Sequence, residues 1–303
     1  MLRAMNLALS NLCGGRCVFC PSTRGQGTHG RNMSWAVAER CIEQAKSNGI
    51  RAFSVGENGD ALLNPQFLDI LGELRCAIPN AWVILFTNFQ NLTPEISRAI
   101  LRDGLVNAVT TNIDGTTTYQ VVKGMPLGPA AQNLRAWMDI REYLPVTLTI
   151  QVLTAPAYAR GVRELFGTLP GHLLACAEMA DEYDRVVSAW SGLLGPRDTI
   201  LRSPSVGWAE RGLIRGDQAR FACTQLERMR NEAFIAPDGS WYICCLMDQQ
   251  TVTIGNIMEK PLAEMENSLQ RRELIEALER RDYAAIGYPC TTAQACQCAN
   301  GEN

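Results

Sequence analysis

Histidine is almost missing from this chain. Two residues, His29 and His172, in a length of 303 leave little material for a His-centred acid–base pair or a nucleophilic triad. An excess of one charge is missing too. The 28 Lys and Arg stand against 31 Asp and Glu, for a net charge of -3, so no basic field gathers phosphate backbones and nucleic acid is not the expected partner. No apolar run reaches membrane-spanning length, so no membrane association is expected. No low-complexity tract or repeat marks a solenoid, and Met1-Leu-Arg-Ala-Met-Asn6 does not open a signal peptide. What is present is 47% hydrophobic residues, enough at this length for one large domain and one small. Cysteine is plentiful at 12 residues. A disulfide framework suits short secreted chains, so these cysteines are expected as thiols in a reducing cytoplasm.

Three of them, Cys13, Cys17 and Cys20, lie in Asn11-Leu-Cys-Gly-Gly-Arg-Cys-Val-Phe-Cys-Pro21, directly after an apolar strand. The C-x3-C-x2-C spacing puts three soft thiolates within reach of one small inorganic cluster. A four-iron, four-sulfur cubane normally takes four thiolates, so three leave one iron open to a non-protein ligand. Zinc is the alternative, but its sites usually pair C-x2-C units into four ligands, and no histidine follows at ligand spacing. The motif resembles the radical SAM superfamily. The resemblance implies that the open iron binds the amino and carboxylate groups of S-adenosylmethionine, which one electron then cleaves to a 5'-deoxyadenosyl radical. It also places Phe19 near the adenine; shielding the cluster from water is the other role open to that ring. Arg24, His29 and Arg31 either contact substrate or solvate the loop.

Short apolar runs then alternate with helical patterns, the form of repeated βαβ units. The expected strands are Asn6 to Leu9, Ala52 to Val55, Trp82 to Phe86, Ala108 to Thr111 and Val146 to Val152. The expected helices are Ser34 to Asn48, Pro65 to Ala77, Pro94 to Asp103 and Pro129 to Tyr143. Ser34 is a plausible N-cap and Gly49 follows the end of its helix. A sixth unit between Gly161 and Leu194 shows no decisive period. The expected fold is α/β: an open, partial (β/α)6 barrel over residues 1–200, a bridging region over 201–222 and a small iron–sulfur domain of hairpin and helix over 223–303.

In such barrels the C-terminal strand ends carry the chemistry. Gly56-Glu-Asn-Gly-Asp-Ala-Leu-Leu-Asn-Pro65 after the second strand resembles the family's Gly-Gly-Glu-Pro segment, with Gly59-Asp60-Ala61 shortening the acid and losing the proline. The resemblance assigns Asp60 to the SAM ammonium, with Glu57 second; a flexible Gly/Asn/Asp turn is the other reading. Thr87-Asn88 resembles the family's Thr-Asn-Gly, although Phe89 replaces the glycine. Asn112-Ile-Asp114-Gly, and Lys123-Gly where arginine is common, resemble segments that approach the SAM carboxylate and ribose; lysine keeps the charge but loses the bidentate fork. On the fifth strand Thr147, Thr149 and Gln151 share one face and Leu148, Ile150 and Val152 the other, so the polar set either lines a cavity or consists of ordinary β-formers.

Six of the 12 cysteines lie between Cys223 and Cys298, which marks a second metal domain. Cys223, Gly239 and Cys244 reproduce a C-x15-G-x4-C spacing that resembles the SPASM and twitch domains. Ala233 to Cys244 reads independently as a hairpin about a Pro-Asp-Gly turn, carrying Cys244 back toward Cys223. Thr253 to Ile257 and the amphipathic stretch Pro261 to Arg281 match that family's continuation. The implied ligands of one auxiliary cluster are Cys223, Cys244 and Cys290, with Cys298 or Cys296 as the fourth; the role of Cys245 is open, and a structural zinc is the alternative. Cys41, Cys76 and Cys176 read as small core residues.

The resemblance implies a radical SAM oxidoreductase that removes hydrogen from a substrate C–H bond. The expected reaction is a net two-electron oxidation of a small sugar- or aminocyclitol-like molecule, with the auxiliary cluster accepting an electron from the substrate radical and a flavodoxin or ferredoxin as the external electron donor. Modification of a peptide, delivered by a separate protein, is the alternative, and a non-catalytic electron carrier the remote one. No residue is singled out as a catalytic acid or base.

Overall fold

The computed structural model describes residues 1–17, 30–113, 116, 119–142, 144–153, 182–203, 223, 225–244 and 252–286. Six strands follow one another in parallel: β1 (Ala4–Leu7), β2 (Ala52–Val55), β3 (Trp82–Phe86), β4 (Ala108–Asn112), β5 (Thr147–Leu153) and β6 (Thr199–Ser203). Each pairs with its predecessor, the order that successive β–helix–β crossovers produce. The helices between the first five are α1 (Trp35–Ser47), α2 (Phe67–Ala77), α3 (Pro94–Arg102), and α4 (Tyr119–Lys123) followed by α5 (Leu127–Arg141). Their starts are written locally. Ser34 Oγ accepts from Val37 N at 3.4 Å, and Thr93 Oγ1 accepts from Ile96 N at 3.4 Å with Pro94 in the first turn.

Period-two alternation sorts the strand residues onto two faces. Met5, Leu7, Phe53, Val55, Val83, Leu85, Val109, Leu148, Ile150 and Val152 are all at most 2% exposed and share one core with Ile42, Leu71, Ile100, Leu134 and Trp137 of the helices. Each buried side chain of this size contributes about 1.5–3 kcal/mol, which fixes which face meets the helices. The intervening residues therefore define the other face. Register aligns Asn6 with Ser54, Ser54 with Ile84, Phe86 with Thr110, Thr110 with Thr149, and Asn112 with Gln151, so a mostly polar band, interrupted on β3 by Ile84 and Phe86, runs across the strands opposite the helical layer.

The C-terminal hairpin continues this sheet. β7 (Glu232–Ile235) pairs in parallel with β1 on the side away from β2, and β8 (Ser240–Tyr242) and β9 (Thr253–Asn256) follow antiparallel, giving among the described residues a nine-stranded sheet in the order β6-β5-β4-β3-β2-β1-β7-β8-β9. Its turn is the expected one: Gly239 has φ 86°, and Asp238 Oδ1 accepts from Ser240 N at 3.0 Å.

Several element bounds differ from expectation. β1 begins and ends two residues earlier than the apolar run, because Leu9 N turns back to Leu7 O at 3.0 Å. The sixth strand lies at Thr199–Ser203, past the stretch read as the sixth unit, so the core sheet extends beyond residue 200 to Ser203. What lies nearer is the helix Glu182–Trp190. The stretch from Pro261 is two helices, Leu262–Glu266 and Leu269–Glu279, broken where Ser268 Oγ caps the second by accepting from Arg271 N at 3.2 Å. Cys41 is fully buried as expected, but Cys76 is exposed on α2, and Cys176 lies outside the described residues.

Candidate functional site

The segment after β1 carries Cys13 and Cys17, the first half-buried and the second buried. A Cβ built on Gly15 would lie 3.5 Å from each of their sulfurs, so the two thiols flank one point. Three neighbouring strand ends clamp this segment. Gly59 has φ 84°, and a Cβ there would stand 2.1 Å from Ser10 O and 2.7 Å from Asn11 Cα, so only glycine lets the loop after β2 approach. Asp60 N then donates to Leu12 O at 2.7 Å, and Arg16 N donates to Lys123 O at 2.8 Å. From the end of β3, Asn88 Nδ2 reaches Cys13 Sγ at 3.7 Å. Cys20 and Phe19 lie outside the described residues.

The two acids of the β2 loop part company. Asp60 is 1% exposed, and its oxygens are engaged: Oδ1 accepts from Leu62 N at 3.2 Å, capping the turn Ala61–Leu63, and Oδ2 accepts from Asn91 Nδ2 at 2.6 Å. Burial pushes the Asp60 carboxyl above its usual range, opposed by hydrogen bonds from Asn91 and Leu62. Glu57 instead meets Arg228, at 2.8 Å from Oε1 and 3.1 Å from Oε2. Arg228 also grips Glu232 at 2.7 Å and lies 5.2 Å over the Phe234 ring. Asn58 Nδ2 donates to Tyr242 Oη at 3.1 Å. The same loop is therefore tied to the helix Leu226–Asn231, just before β7, and to β8 through two adjacent residues.

On the polar face of the sheet a cavity of about 500 Å³ is lined by Ser54, Glu57, Phe86, Gln151, Arg228 and Glu232, among others. Asn112 Nδ2 donates to Gln151 Oε1 at 3.3 Å, and Thr147, Thr149 and Gln151 are half-buried on this face while Leu148, Ile150 and Val152 are buried behind it. Lys123 is 4% exposed beside the cysteine loop; Asp114 lies outside the described residues.

Cys223 and Cys244 are 8% and 3% exposed in one small apolar cluster with Met229, Ile243, Ala277, Leu278 and Ile286. Cys245, Cys290, Cys296 and Cys298 lie outside the described residues. So each cysteine set shows two members, and no group of three metal-capable side chains forms among the described residues. Two cysteine sulfurs flanking one point, and two more buried in one apolar cluster, suit soft thiophilic metal.

A sequence model of the radical SAM superfamily matches residues 7–155, and one of the SPASM iron–sulfur cluster-binding domain matches residues 223–297. This chain belongs to the radical SAM superfamily. The first match holds Cys13 and Cys17, the second Cys223 and Cys244. The radical SAM fold is shared with BtrN in complex with AdoMet and 2-DOIA, at 15% identity and TM-score 0.59 over 99% of this chain and 94% of that one. It is shared with anSMEcpe with bound AdoMet, at 15% identity and TM-score 0.60 over 92% and 84%. It is shared too with Streptococcus suis SuiB bound to S-adenosylmethionine, at 13% identity and TM-score 0.58 over 100% and 73%. No curated protein matches by sequence. Family membership implies iron–sulfur clusters and S-adenosylmethionine for this radical SAM enzyme. Among the described residues no helix is long and apolar enough to cross a membrane.

Sequence reasoning missed Arg228, Glu232, Asn91 and Tyr242. One signal was legible: Arg228 and Glu232 stand at i and i+4, five residues past Cys223, a spacing that pairs charges on a helix face.

Proposed function

We propose that this radical SAM enzyme oxidises a small polar molecule by two electrons at a C–H bond, in the cavity of the sheet's polar face. When bound, the cofactor pair supplies a 5'-deoxyadenosyl radical that removes one hydrogen atom from the substrate. In this reading Cys13, Cys17 and Cys20 hold the first cluster. Gly59, Asp60, Asn88, Asn112, Asp114, Lys123 and Phe19 surround S-adenosylmethionine, with Glu57 at the border of the substrate cavity. Cys223, Cys244 and Cys290, with Cys298 or Cys296, would hold one auxiliary cluster in the domain from residue 223, and that cluster would supply an acceptor for the second electron, the substrate releasing a proton.

The cavity carries the substrate reading. Its volume of about 500 Å³ falls in the range of small-molecule sites, about 300–1,000 Å³. Glu57 and Glu232 present carboxylate oxygens to it, acceptors for hydroxyl or ammonium donors, and Arg228 between them fixes both side chains. Asn112 orients Gln151 toward the same space. An external flavodoxin- or ferredoxin-type donor and a cytoplasmic setting fit the thiol chemistry.

The test follows deuterium. Reconstituted enzyme is offered ring-deuterated aminocyclitols and sugars, and separately peptides deuterated at Cα and Cβ, and 5'-deoxyadenosine is analysed by mass spectrometry. Deuterium arriving from the cyclic polyols supports the proposal; deuterium arriving only from peptide contradicts it and makes the cavity an entrance for a side chain.

A further inference from the structure

The family pattern places Asn88 against S-adenosylmethionine, but its amide is turned toward a thiol. Nδ2 lies 3.7 Å from Cys13 Sγ, within reach of the large sulfur atom. The amide's orientation follows from its other end: Asn88 Oδ1 accepts from Gln90 N at 2.9 Å, so the NH2 group is the one that faces Cys13. Gly15 N donates to the same sulfur at 3.4 Å.

The turn that presents Asn88 is held against its preference. Phe89 adopts φ 61°, a conformation that bulky residues rarely take and that persists only where the surroundings over-determine it. They do so here. Phe89 is 1% exposed, its ring stands edge-on to Trp137 at 6.4 Å, and its N–H donates to Thr87 Oγ1 at 3.1 Å. From α5, Asn133 Nδ2 donates to the carbonyls of Phe89 and Gln90 at 2.8 and 3.1 Å, and Gln90 Nε2 donates to Pro126 O at 2.7 Å. This much support for a strained turn has a local beneficiary in the amide at Cys13.

We propose that Asn88 is a positioning residue that raises the reduction potential of the first cluster by donating a hydrogen bond to the Cys13 thiolate. Added negative charge on a cluster spreads onto its thiolate ligands, and a fixed N–H dipole aimed at one of them stabilises the reduced form; hydrogen bonds to sulfur are among the levers that set iron–sulfur potentials. The step affected is the transfer of one electron from an external flavodoxin- or ferredoxin-class donor. The donor is oxidised by one electron and the cluster reduced by one, with no proton or bond exchanged. Phe89, Trp137 and Asn133 act through Asn88 by holding it in place. The inference rests on the reading of Cys13 as an iron ligand.

Two measurements on anaerobically reconstituted full-length enzyme test it. The first is an EPR-monitored redox titration of wild type, Asn88→Leu and Asn88→Ser, with the auxiliary cluster as internal reference. Loss of the donor is expected to lower the potential of the first cluster alone, cutting its reduction equilibrium about tenfold, or about 59 mV for one electron. The second is pulsed EPR of reduced wild type labelled with 15N-asparagine, which is expected to show one amide nitrogen coupled to the cluster spin and needs no variant to fold. An unchanged potential in variants with full iron content, or no asparagine coupling in wild type, overturns the proposal. A fall in S-adenosylmethionine affinity at unchanged potential also overturns it and returns Asn88 to the role of cofactor contact. If the Cys13 reading itself is wrong, the result differs: Cys13→Ala then keeps the reducible cluster.

Discussion

At the scale of single residues, environment decides what chemically similar groups do. Asp60 and Glu57 are three positions apart in one loop, and the family pattern favours Asp60 as the acid facing the ammonium. Its carboxylate is engaged by Leu62 N and Asn91, while Glu57 borders the cavity against Arg228, 171 positions along the chain. Local pattern ranks the two acids by spacing; the partner that separates them is invisible at that range. The cysteines divide in the same way. Burial pushes the Cys41 thiol up to about 12, and no water reaches it, whereas Cys76 is exposed. With the clusters in place, maleimide is expected to label Cys76 within minutes and leave Cys41 untouched until the protein unfolds, which peptide mass spectrometry reads directly. Gly59→Ala tests the loop clamp. With φ 84° and backbone 2.1 Å from the new Cβ, it is expected to lose iron from the first cluster by more than half, measured against wild type reconstituted in parallel, while retaining iron at the auxiliary site.

At the scale of elements, the strands and their helices were legible where a short apolar run or a period of 3.6 stood between clear boundaries, as in Trp82–Phe86 or in the helix started by Thr93 and Pro94. β6 was not. Thr199-Ile-Leu-Arg-Ser203 sets just two apolar residues between polar ones, and Leu201 is 45% exposed, so no apolar run announces it. What holds this edge is an ion pair. Arg141, at the end of α5, gives two hydrogen bonds to Asp198, which also accepts from Gly195 N at 2.8 Å and Leu148 N at 2.9 Å, and the two side chains are 6% and 1% exposed. Burial alone raises the Asp198 carboxyl, but hydrogen bonds from Arg141, Gly195 and Leu148 outweigh it and leave the group below its usual value. The sign follows. A carboxyl depressed in the folded state stabilises the fold above its unfolded value of about 3.9, and that contribution is lost as pH falls through the lower folded value. Asp198→Asn, which leaves Arg141 buried without its counter-charge, is expected to cost about 3–5 kcal/mol at pH 7. Its deficit against wild type is expected to shrink below about pH 4, as denaturant titrations at both pH values would show.

At the scale of the whole molecule, the two cysteine sets are joined by one sheet. A small C-terminal domain was legible from the spacing of Cys223, Gly239 and Cys244. That its hairpin would continue the barrel beyond β1 was not, because pairing of Ala4 with Glu232 and Leu7 with Ile235 joins residues more than two hundred positions apart. The contacts Glu57 with Arg228 and Asn58 with Tyr242 then tie the loop after β2 to the helix Leu226–Asn231 that follows Cys223 and to the strand that leads to Cys244. Arg228→Met is expected to weaken S-adenosylmethionine binding about tenfold while leaving the iron content of both sites intact, a change that isothermal titration resolves. The central claim is that Cys13, Cys17 and Cys20 hold the cluster that activates S-adenosylmethionine and that the second set holds another. The most direct measurement is iron and sulfide counting with a reductive cleavage assay on anaerobically reconstituted wild type and on the variant with all three cysteines changed to alanine. About eight irons in wild type, as two four-iron clusters require, about four in the variant, and 5'-deoxyadenosine formed by wild type alone are the predicted results. About four irons in wild type with no cleavage would contradict the account.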